Sequence, residues 1–189
     1  VSLQFAKRRT EPAPEKDGSY MIDTHSHLLP GVDHGCPDME TCLEMARAAA
    51  ESGVTTVFCT PHLLEWDEGL IEHCRRVIVE TRAALVAAEV ELELRLGFEV
   101  DMGVAVMVEV DQLRELVFEG TEGAVLLETP YQGWPVYMEE TIYRLALAGL
   151  VPVLAHPERN DRVQKDPQLL VGCLRAGAVA QATAGSLSG

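Results

Sequence analysis

The sequence has few basic residues for its length. It holds 15 lysines and arginines against 30 aspartates and glutamates, which gives a formal net charge of −15 over 189 residues. Nucleic-acid backbones and anionic membrane surfaces attract basic proteins, so this charge argues against either as the main partner. Solubility accounts for most of the acidity, and carboxylates gathered to hold cations are a second contribution.

Cysteine pairs and long apolar segments are also missing. The five cysteines are an odd number without a C-x-x-C pair, which argues against a zinc finger and a disulfide framework and predicts a cytoplasmic location. No apolar run approaches the roughly 20 residues that span a bilayer, so we expect no membrane insertion. Residues 1–19 predict a disordered N-terminal extension, and residues 20–189 a single domain with a sizeable core.

The remainder of the sequence alternates between strand and helix patterns. The predicted strands cover residues 20–27, 55–60, 91–101, 124–129, 151–155 and 179–184, and the predicted helices cover 38–52, 68–88, 111–118, 136–148 and 166–176. Strands separated by helices imply a parallel sheet and therefore an α/β fold. Neither a G-x-G-x-x-G motif nor a P-loop is present, which counts against a nucleotide-binding doubly wound sheet and favours a (β/α) barrel.

Histidines and carboxylates stand at the ends of five consecutive predicted strands. The first strand ends at His25 and His27, which share one face because side chains alternate along a strand. The next four strand ends carry, in order, His62, Glu99, Glu128 and His156. Catalytic groups of barrels lie at the carboxyl ends of the strands, so we expect these side chains to gather in one site.

The mixture of imidazoles and carboxylates, without thiolates, is typical of a site for Mn²⁺, Fe²⁺ or Zn²⁺. It has too many ligands for one tetrahedral zinc ion. A carboxylate can bridge two ions, and paired ions are typical of phosphoryl-transfer hydrolases. Arg159, three residues after His156, adds a side chain that binds phosphate through two parallel hydrogen bonds.

These motifs resemble those of the polymerase-and-histidinol-phosphatase (PHP) superfamily. The matching stretches are MIDTHSHLLPGVD, TPH, GFEV, LETP, AHPERN and ATAGSLSG, which run from Met21 to Gly189. More closely, they resemble its branch of bacterial manganese-dependent protein-tyrosine phosphatases, which are encoded with capsule and exopolysaccharide genes. HxH alone is unspecific, whereas HxH, TPH and AHPER in this order and spacing are specific.

The resemblance implies a distorted (β/α)₇ TIM-like barrel with two or three divalent ions, Mn²⁺ before Fe²⁺ or Zn²⁺. It implies that His25 and His27 bind one ion, that Glu99 bridges it to a second, and that Glu128 and His156 complete the second. His62 serves a third ion, and Arg159 joins His156 as a catalytic residue by holding the phosphate. The implied substrate is the phosphotyrosine tail of a bacterial tyrosine kinase, and the resemblance is compatible with a homo-oligomer.

The cysteines do not fit the other large class of tyrosine phosphatases, which uses a cysteine nucleophile in a C-x5-R loop. No cysteine in this sequence has an arginine six positions later. The nearest case, Cys42 followed by Arg47, is one residue short and lies within a predicted helix. We therefore expect no cysteine mechanism.

The sequence departs from the family pattern at two places. The family has two consecutive aspartates in the first loop, the second of which binds the third metal, whereas this chain has Asp33 and His34. We expect His34 to take over as the ligand, and a shifted Asp33 is the alternative. The family also has a final Asp-x-His motif after ATAGSLSG, which supplies two further ligands, and this chain stops at Gly189. We therefore expect a fragment of a longer gene product that lacks the last βα elements of the barrel.

Two other functions stay open at this point. The first is another reaction of the same superfamily, such as histidinol-phosphate hydrolysis or nucleic-acid trimming, because the metal ligands do not separate these reactions. The second is a truncated domain that binds metal or a partner without turnover, which the missing motif and His34 would explain.

Overall fold

The computed structural model describes residues 20–187 of the chain, with side chains up to Ser186. The predicted extension over residues 1–19 lies outside the described residues. In the described part the chain forms eight strands and eight α-helices in two compact units. Residues 20–61 and 68–96 form the first unit, and residues 62–67 and 97–187 form the second. All six pairings between strands are parallel, which confirms the α/β class with parallel sheets.

The first unit is a three-stranded sheet with two helices. Its elements are β1 (Met21–Ser26), α1 (Met39–Glu51), β2 (Val54–Cys59), α2 (Glu68–Ala87) and β4 (Glu93–Leu96), and the strand order is β1-β2-β4. Helix α1 begins after Asp38, whose side chain accepts a hydrogen bond from the backbone N–H of Thr41 at 2.8 Å and so caps the helix. Cys42, Ala46 and Ala49 form its buried stripe, as the helical spacing predicts.

The second unit is a five-stranded sheet in the order β3-β5-β6-β7-β8. Its strands are β3 (His62–Leu63), β5 (Glu99–Asp101), β6 (Ala124–Glu128), β7 (Val151–Ala155) and β8 (Val179–Gln181). Its helices are α3 (Met102–Met107), α4 (Val110–Arg114), α5 (Met138–Leu147), α6 (Asp161–Lys165), α7 (Gln168–Arg175) and α8 (Ala184–Leu187), and a 3-10 turn covers Pro157–Arg159. The inner residues Leu126, Leu127 and Leu154 are fully buried, which is the pattern of central parallel strands.

Three details of the predicted pattern are wrong. The segment 91–101 is not one strand but two, β4 and β5, which pair in different sheets. The short strand β3, which begins at His62 three residues after β2 ends, was not predicted. The predicted helix 111–118 is the shorter α4, and helices α3, α6 and α8 were not predicted. Among residues 20–187, no helix combines the length and apolar character that a membrane span requires.

Candidate metal centre and phosphate site

Glu99 is the central carboxylate of the second unit. It begins β5 and lies directly opposite His62 of β3 in the parallel register. Its Oε2 is 3.3 Å from Nδ1 of His62, and its Oε1 is 2.8 Å from Nε2 of His156. Glu99 is completely buried, so one carboxylate without contact to water connects two imidazoles.

Glu128 adds a second carboxylate to the same imidazole. It ends β6, and its Oε2 lies 3.3 Å from Nδ1 of His62. One possible ligand atom from each of His62, Glu99 and Glu128 lies within 4.8 Å of the others. Glu99 is fully buried and the side chain of Glu128 is only 15% exposed, so two neighbouring negative charges at this place are costly unless a cation balances them. These oxygen and imidazole donors therefore fit a borderline divalent ion such as Mn²⁺.

His156 sits at a strained bend at the end of β7. Its backbone has φ 35° and ψ 47°, the left-handed region, which costs a side-chain-bearing residue about 1–2 kcal/mol. Its N–H donates to the carbonyl of Gln181 at 2.8 Å, and its ring stacks on Tyr131 with centroids 5.5 Å apart. Backbone strain of this kind concentrates at functional sites. Here it turns the imidazole toward Glu99.

Arg159 stands at the end of the 3-10 turn, with a third of its side chain exposed. Its Nε is 3.9 Å from Oε1 of Glu158, and the same oxygen accepts a hydrogen bond from the N–H of Thr183 at 3.0 Å. Burial by itself raises the pKa of Glu158, but hydrogen bonds from Thr183 and from its own backbone N–H outweigh that effect and lower it. Glu158 is therefore a charged anchor that connects the arginine to the loop before α8.

Asn160 clamps the two loops that carry Tyr131 and Arg159. Its side-chain Nδ2 donates to the carbonyls of Pro130 and Gly133 at 2.6 and 2.7 Å. Its Oδ1 accepts from the N–H groups of the first turn of α6, at 2.8 and 2.9 Å. The residue is 1% exposed, so all four hydrogen bonds are shielded from water. The clamp therefore joins the loop of Tyr131 to the loop of Arg159.

The first unit gathers a histidine cluster of its own. The ring centroids of His25 and His27 are 5.4 Å apart, and those of His27 and His34 are 5.0 Å apart. Nδ1 of His27 is 2.6 Å from Oδ2 of Asp33, which leaves Nε2 as the ring atom for a metal. Oδ1 of Asp33 also accepts the N–H of Gly35 at 3.0 Å.

Gly35 lets the first loop approach the strand that carries the histidines. A Cβ on this residue would lie 2.3 Å from Cβ of His27 and 2.4 Å from its carbonyl oxygen. Both distances are far inside van der Waals contact, so any larger residue would push the loop away. The glycine therefore holds Asp33 and His34 against His27.

The described cysteines do not fit a nucleophile. All five are free and buried. Burial raises the pKa of Cys42, Cys74 and Cys173 to about 12 and raises those of Cys36 and Cys59 as well. The thiols are therefore protonated at neutral pH, whereas reactive cysteines are thiolates in partly exposed, electropositive surroundings.

We predict that iodoacetamide at neutral pH leaves the folded chain almost unlabelled, because burial and a raised pKa both suppress the thiolate. Mass spectrometry should count five labels after unfolding, since the sequence has five cysteines. Rapid labelling of a single cysteine in the folded chain would contradict this interpretation.

The predicted site residues fall into two sets, one in each unit. The first unit brings together His25, His27 and His34, and the second brings together His62, Glu99, Glu128 and His156, with Arg159 three residues beyond. Tyr131 and the clamp formed by Asn160 were not predicted from the sequence. Both lie next to recognised motifs, Tyr131 after LETP and Asn160 at the end of AHPERN, so their position was the only available signal.

Comparison with protein families identifies the chain. The family model described as capsular polysaccharide synthesis, CpsB/CapC, matches residues 21–189. The chain belongs to this family.

Curated relatives and a solved structure agree with that assignment. The chain is 35% identical to tyrosine-protein phosphatase YwqE of Bacillus subtilis, covering 89% of this chain and 66% of the relative. It is 29% identical to putative tyrosine-protein phosphatase CapC of Staphylococcus aureus, with the same coverage.

The chain also matches a chain from the crystal structures of B. subtilis YwqE and Streptococcus pneumoniae CpsB, described as unique metal-dependent tyrosine phosphatases. That match has a TM-score of 0.78 and 33% identity, and covers 89% of this chain and 68% of the other. The chain thus spans about 66% of the length of the curated relatives.

Proposed function

We propose that the chain is a metal-dependent protein-tyrosine phosphatase, whose substrate is phosphotyrosine on a bacterial tyrosine kinase that controls capsule or exopolysaccharide synthesis. The observation that carries the proposal is the buried carboxylate of Glu99 between the imidazoles of His62 and His156, with Glu128 beside it. The names of the relatives support the activity, and the family description supports the role in capsule synthesis.

We propose two or three divalent ions, with Mn²⁺ as the native metal and Fe²⁺ or Zn²⁺ as alternatives. The proposed ligands are His25, His27, His34, His62, Glu99, Glu128 and His156. Imidazole and carboxylate donors without thiolate support this class of ion. When bound, the ions supply positive charge that stabilises the negative charge which develops on the phosphate.

His34 is the proposed ligand in the first loop, and Asp33 orients a neighbour. Both oxygens of Asp33 already have partners, His27 Nδ1 and the N–H of Gly35. A carboxylate that holds the second ring nitrogen of a metal-binding histidine fixes its tautomer and orientation. This arrangement supports substitution of the family's second aspartate by His34.

Arg159 is the proposed phosphate binder. Its guanidinium can donate two parallel hydrogen bonds to phosphate oxygens and carries a positive charge at every physiological pH. Glu158 holds it from one side, and the Asn160 clamp fixes the loop around it. The remaining guanidinium donors are available to hold the phosphate while the phenolate departs.

The proposal extends to the barrel fold, the cellular location and the oligomeric state. We propose that the parallel strands belong to a distorted (β/α)₇ TIM-like barrel of the PHP type, which the TM-score of 0.78 to the YwqE and CpsB structures supports. The five free cysteines support a reducing, cytoplasmic location. Homo-oligomerisation is a further proposal.

The proposal is tested with a panel of phosphate esters in the presence of Mn²⁺. We expect hydrolysis of phosphotyrosine peptides, little hydrolysis of phosphoserine peptides or histidinol phosphate, and loss of activity with EDTA that added Mn²⁺ reverses. His156→Ala should lower kcat/KM by at least about 100-fold, since metal charge stabilisation contributes several kcal/mol.

Three outcomes would contradict the proposal. Activity that persists in EDTA would exclude the metal mechanism. Preferential hydrolysis of histidinol phosphate would favour another reaction of the superfamily. Manganese binding without hydrolysis of any ester would favour a binding domain without turnover.

A further inference from the structure

A cavity of about 550 Å³ lies beside the loop that precedes helix α5. Its walls include Trp134, Pro135 and Val136 of that loop, Glu139 and Glu140 of α5, and Arg162 of α6. None of these residues belongs to the proposed metal set or holds the phosphate. The volume falls within the range of roughly 300–1,000 Å³ that small-ligand sites occupy, which is ample for one long side chain.

The Asn160 clamp and its neighbour hold one wall of the cavity in place. Besides the two bonds from Asn160, the N–H of Asp161 donates to the carbonyl of Tyr131 at 3.0 Å. The N–H of Gly133 donates to Oδ1 of Asp161 at 2.8 Å, and this bond is the main reason that the pKa of Asp161 is lowered. A wall fixed before binding reduces the ordering cost when a ligand enters.

The fixed loop presents apolar surface to water. Val136 is fully exposed and Tyr137 is 38% exposed, although they are the two residues before the buried Met138. Covering these side chains is favourable because it removes apolar area from water. The hydrogen bonds at Gly133 hold this loop in place. We therefore expect Val136 and Tyr137 to be covered by a bound ligand and not by movement of the loop.

The cavity is within reach of a peptide bound at the phosphate site. Arg162 follows Arg159 by three residues, and Trp134 follows Tyr131 by three. Three residues span at most about 11 Å, and an extended peptide advances about 3.3–3.6 Å per residue. A side chain roughly two to four residues from a phosphotyrosine held at Arg159 can therefore enter the cavity.

The chemistry of the walls favours a cationic side chain with an apolar stem. Glu139 and Glu140 supply two carboxylates, and Trp134 supplies an aromatic face on which a cation can lie. Arg162 is the one cationic residue named among the walls. Its positive charge interacts with Asp161 and helps to lower the pKa of that carboxyl group. Lysine and arginine bury their methylene stems against apolar surface while the charged head meets a carboxylate.

We propose that this cavity binds a lysine or arginine side chain of the substrate peptide near the phosphotyrosine, and so selects the sequence that is dephosphorylated. The inference rests on the proposed phosphotyrosine phosphatase activity and adds a specificity subsite to it. The subsite contacts the flanking residue of the peptide and does not touch the phosphate.

The test compares peptides with p-nitrophenyl phosphate, a substrate that has no flanking residues. The peptides have only uncharged residues apart from the phosphotyrosine. Each carries a single lysine, or an uncharged polar glutamine as its control, at one position out to roughly four residues on either side. At one or more positions two to four residues away, we expect lysine to raise kcat/KM about tenfold over glutamine, which corresponds to a typical partly desolvated cation–π and ion pair.

The double variant E139Q/E140Q should reduce that lysine preference to near unity and lower the ratio of peptide to p-nitrophenyl phosphate hydrolysis. The matched control E72Q/E80Q removes two charges from helix α2, which does not line the cavity, and should keep the preference. W134L should weaken the preference in the same direction as E139Q/E140Q.

Three results would overturn the subsite while the phosphatase activity stands. These are equal rates for lysine and glutamine peptides at every position, a lysine preference that survives in E139Q/E140Q, and equal losses for peptide and p-nitrophenyl phosphate. Absence of hydrolysis of both p-nitrophenyl phosphate and every phosphotyrosine peptide would instead contradict the proposed function, and the subsite with it.

Discussion

Replacing Glu99 with glutamine is expected to lower both manganese affinity and phosphatase activity by at least about 100-fold. Loss of a residue that only supports a ligand already costs about 10–100-fold, and Glu99 is a proposed ligand itself. Glutamine keeps the shape of the side chain, so the substitution removes the charge and one acceptor between His62 and His156. The effect is therefore electrostatic rather than steric.

Thermal unfolding with and without Mn²⁺ separates the loss of metal from a loss of folding. An ion at about 100 times its dissociation constant stabilises the native chain by about 2.7 kcal/mol. For a chain of this size that raises Tm by about 5–10 °C. We expect this shift in the wild type and in the exposed-surface control Glu72→Gln. In Glu99→Gln the shift should be at most about 1–2 °C, because binding weakened at least about 100-fold leaves no more than about 0.4 kcal/mol of stabilisation.

The metal-free Glu99→Gln variant provides an internal check. Removing one of two neighbouring buried carboxylates relieves an unfavourable charge, so its Tm without metal should equal or exceed that of the wild type. A Tm far below the wild type would show that Glu99 is needed for folding. An undiminished manganese shift in this variant would contradict its role as a ligand.

Of the substitutions described, Asn160→Ala should lower the free energy of unfolding most, because it removes four shielded hydrogen bonds. At a net contribution of about 0.5–1.5 kcal/mol each, the expected loss is about 2–6 kcal/mol. Urea unfolding measures it. A loss below about 1 kcal/mol would contradict the clamp, since it would fall within the range of a single hydrogen bond.

Asn160→Asp distinguishes the clamp from the helix cap. Aspartate is as good an N-cap as asparagine, so α6 keeps its cap. Its second oxygen, however, would face the carbonyls of Pro130 and Gly133 without a proton to donate, and the loop should detach. In a Trp66→Phe background the fluorescence of Trp134 reports on that loop, because the chain has two tryptophans. We expect a red shift in Asn160→Asp, and an unchanged spectrum would contradict the clamp.

The sequence predicted the strand and helix elements well where the apolar pattern was continuous. Strand β7 has the predicted bounds of residues 151–155, and helix α1 differs by one residue at each end from the prediction of 38–52. The family assignment is confirmed by the match over residues 21–189. The short motifs were sufficient for this assignment because histidine and carboxylate residues recur in them in a particular order along the chain.

The elements that escaped prediction depend on tertiary contacts. The segment 91–101 keeps a strand-like pattern throughout, and nothing local shows that Glu93–Leu96 and Glu99–Asp101 pair in different sheets. Helix α6 has only five residues, too short for a periodic signal, and is held by the side chain of Asn160.

The same limit applies to the site. The order of strand ends predicted that these side chains gather, and in the second unit Glu99 lies between His62 and His156. The stacking of Tyr131 on His156 could not be predicted. The loop that carries Tyr131 is held by Asn160, whose partners Pro130 and Gly133 lie 30 and 27 residues away along the chain. The cavity beside Trp134 depends on the same clamp.

The most direct test of the account is the manganese content of the chain, measured together with phosphate release from a phosphotyrosine peptide. After loading with Mn²⁺ and dialysis, we predict at least about two ions per chain, as in other paired-metal phosphoryl-transfer sites, and turnover that EDTA abolishes. Glu99→Gln should lose both together. A chain that retains no manganese, or that releases phosphate equally well in EDTA, would contradict the central claim.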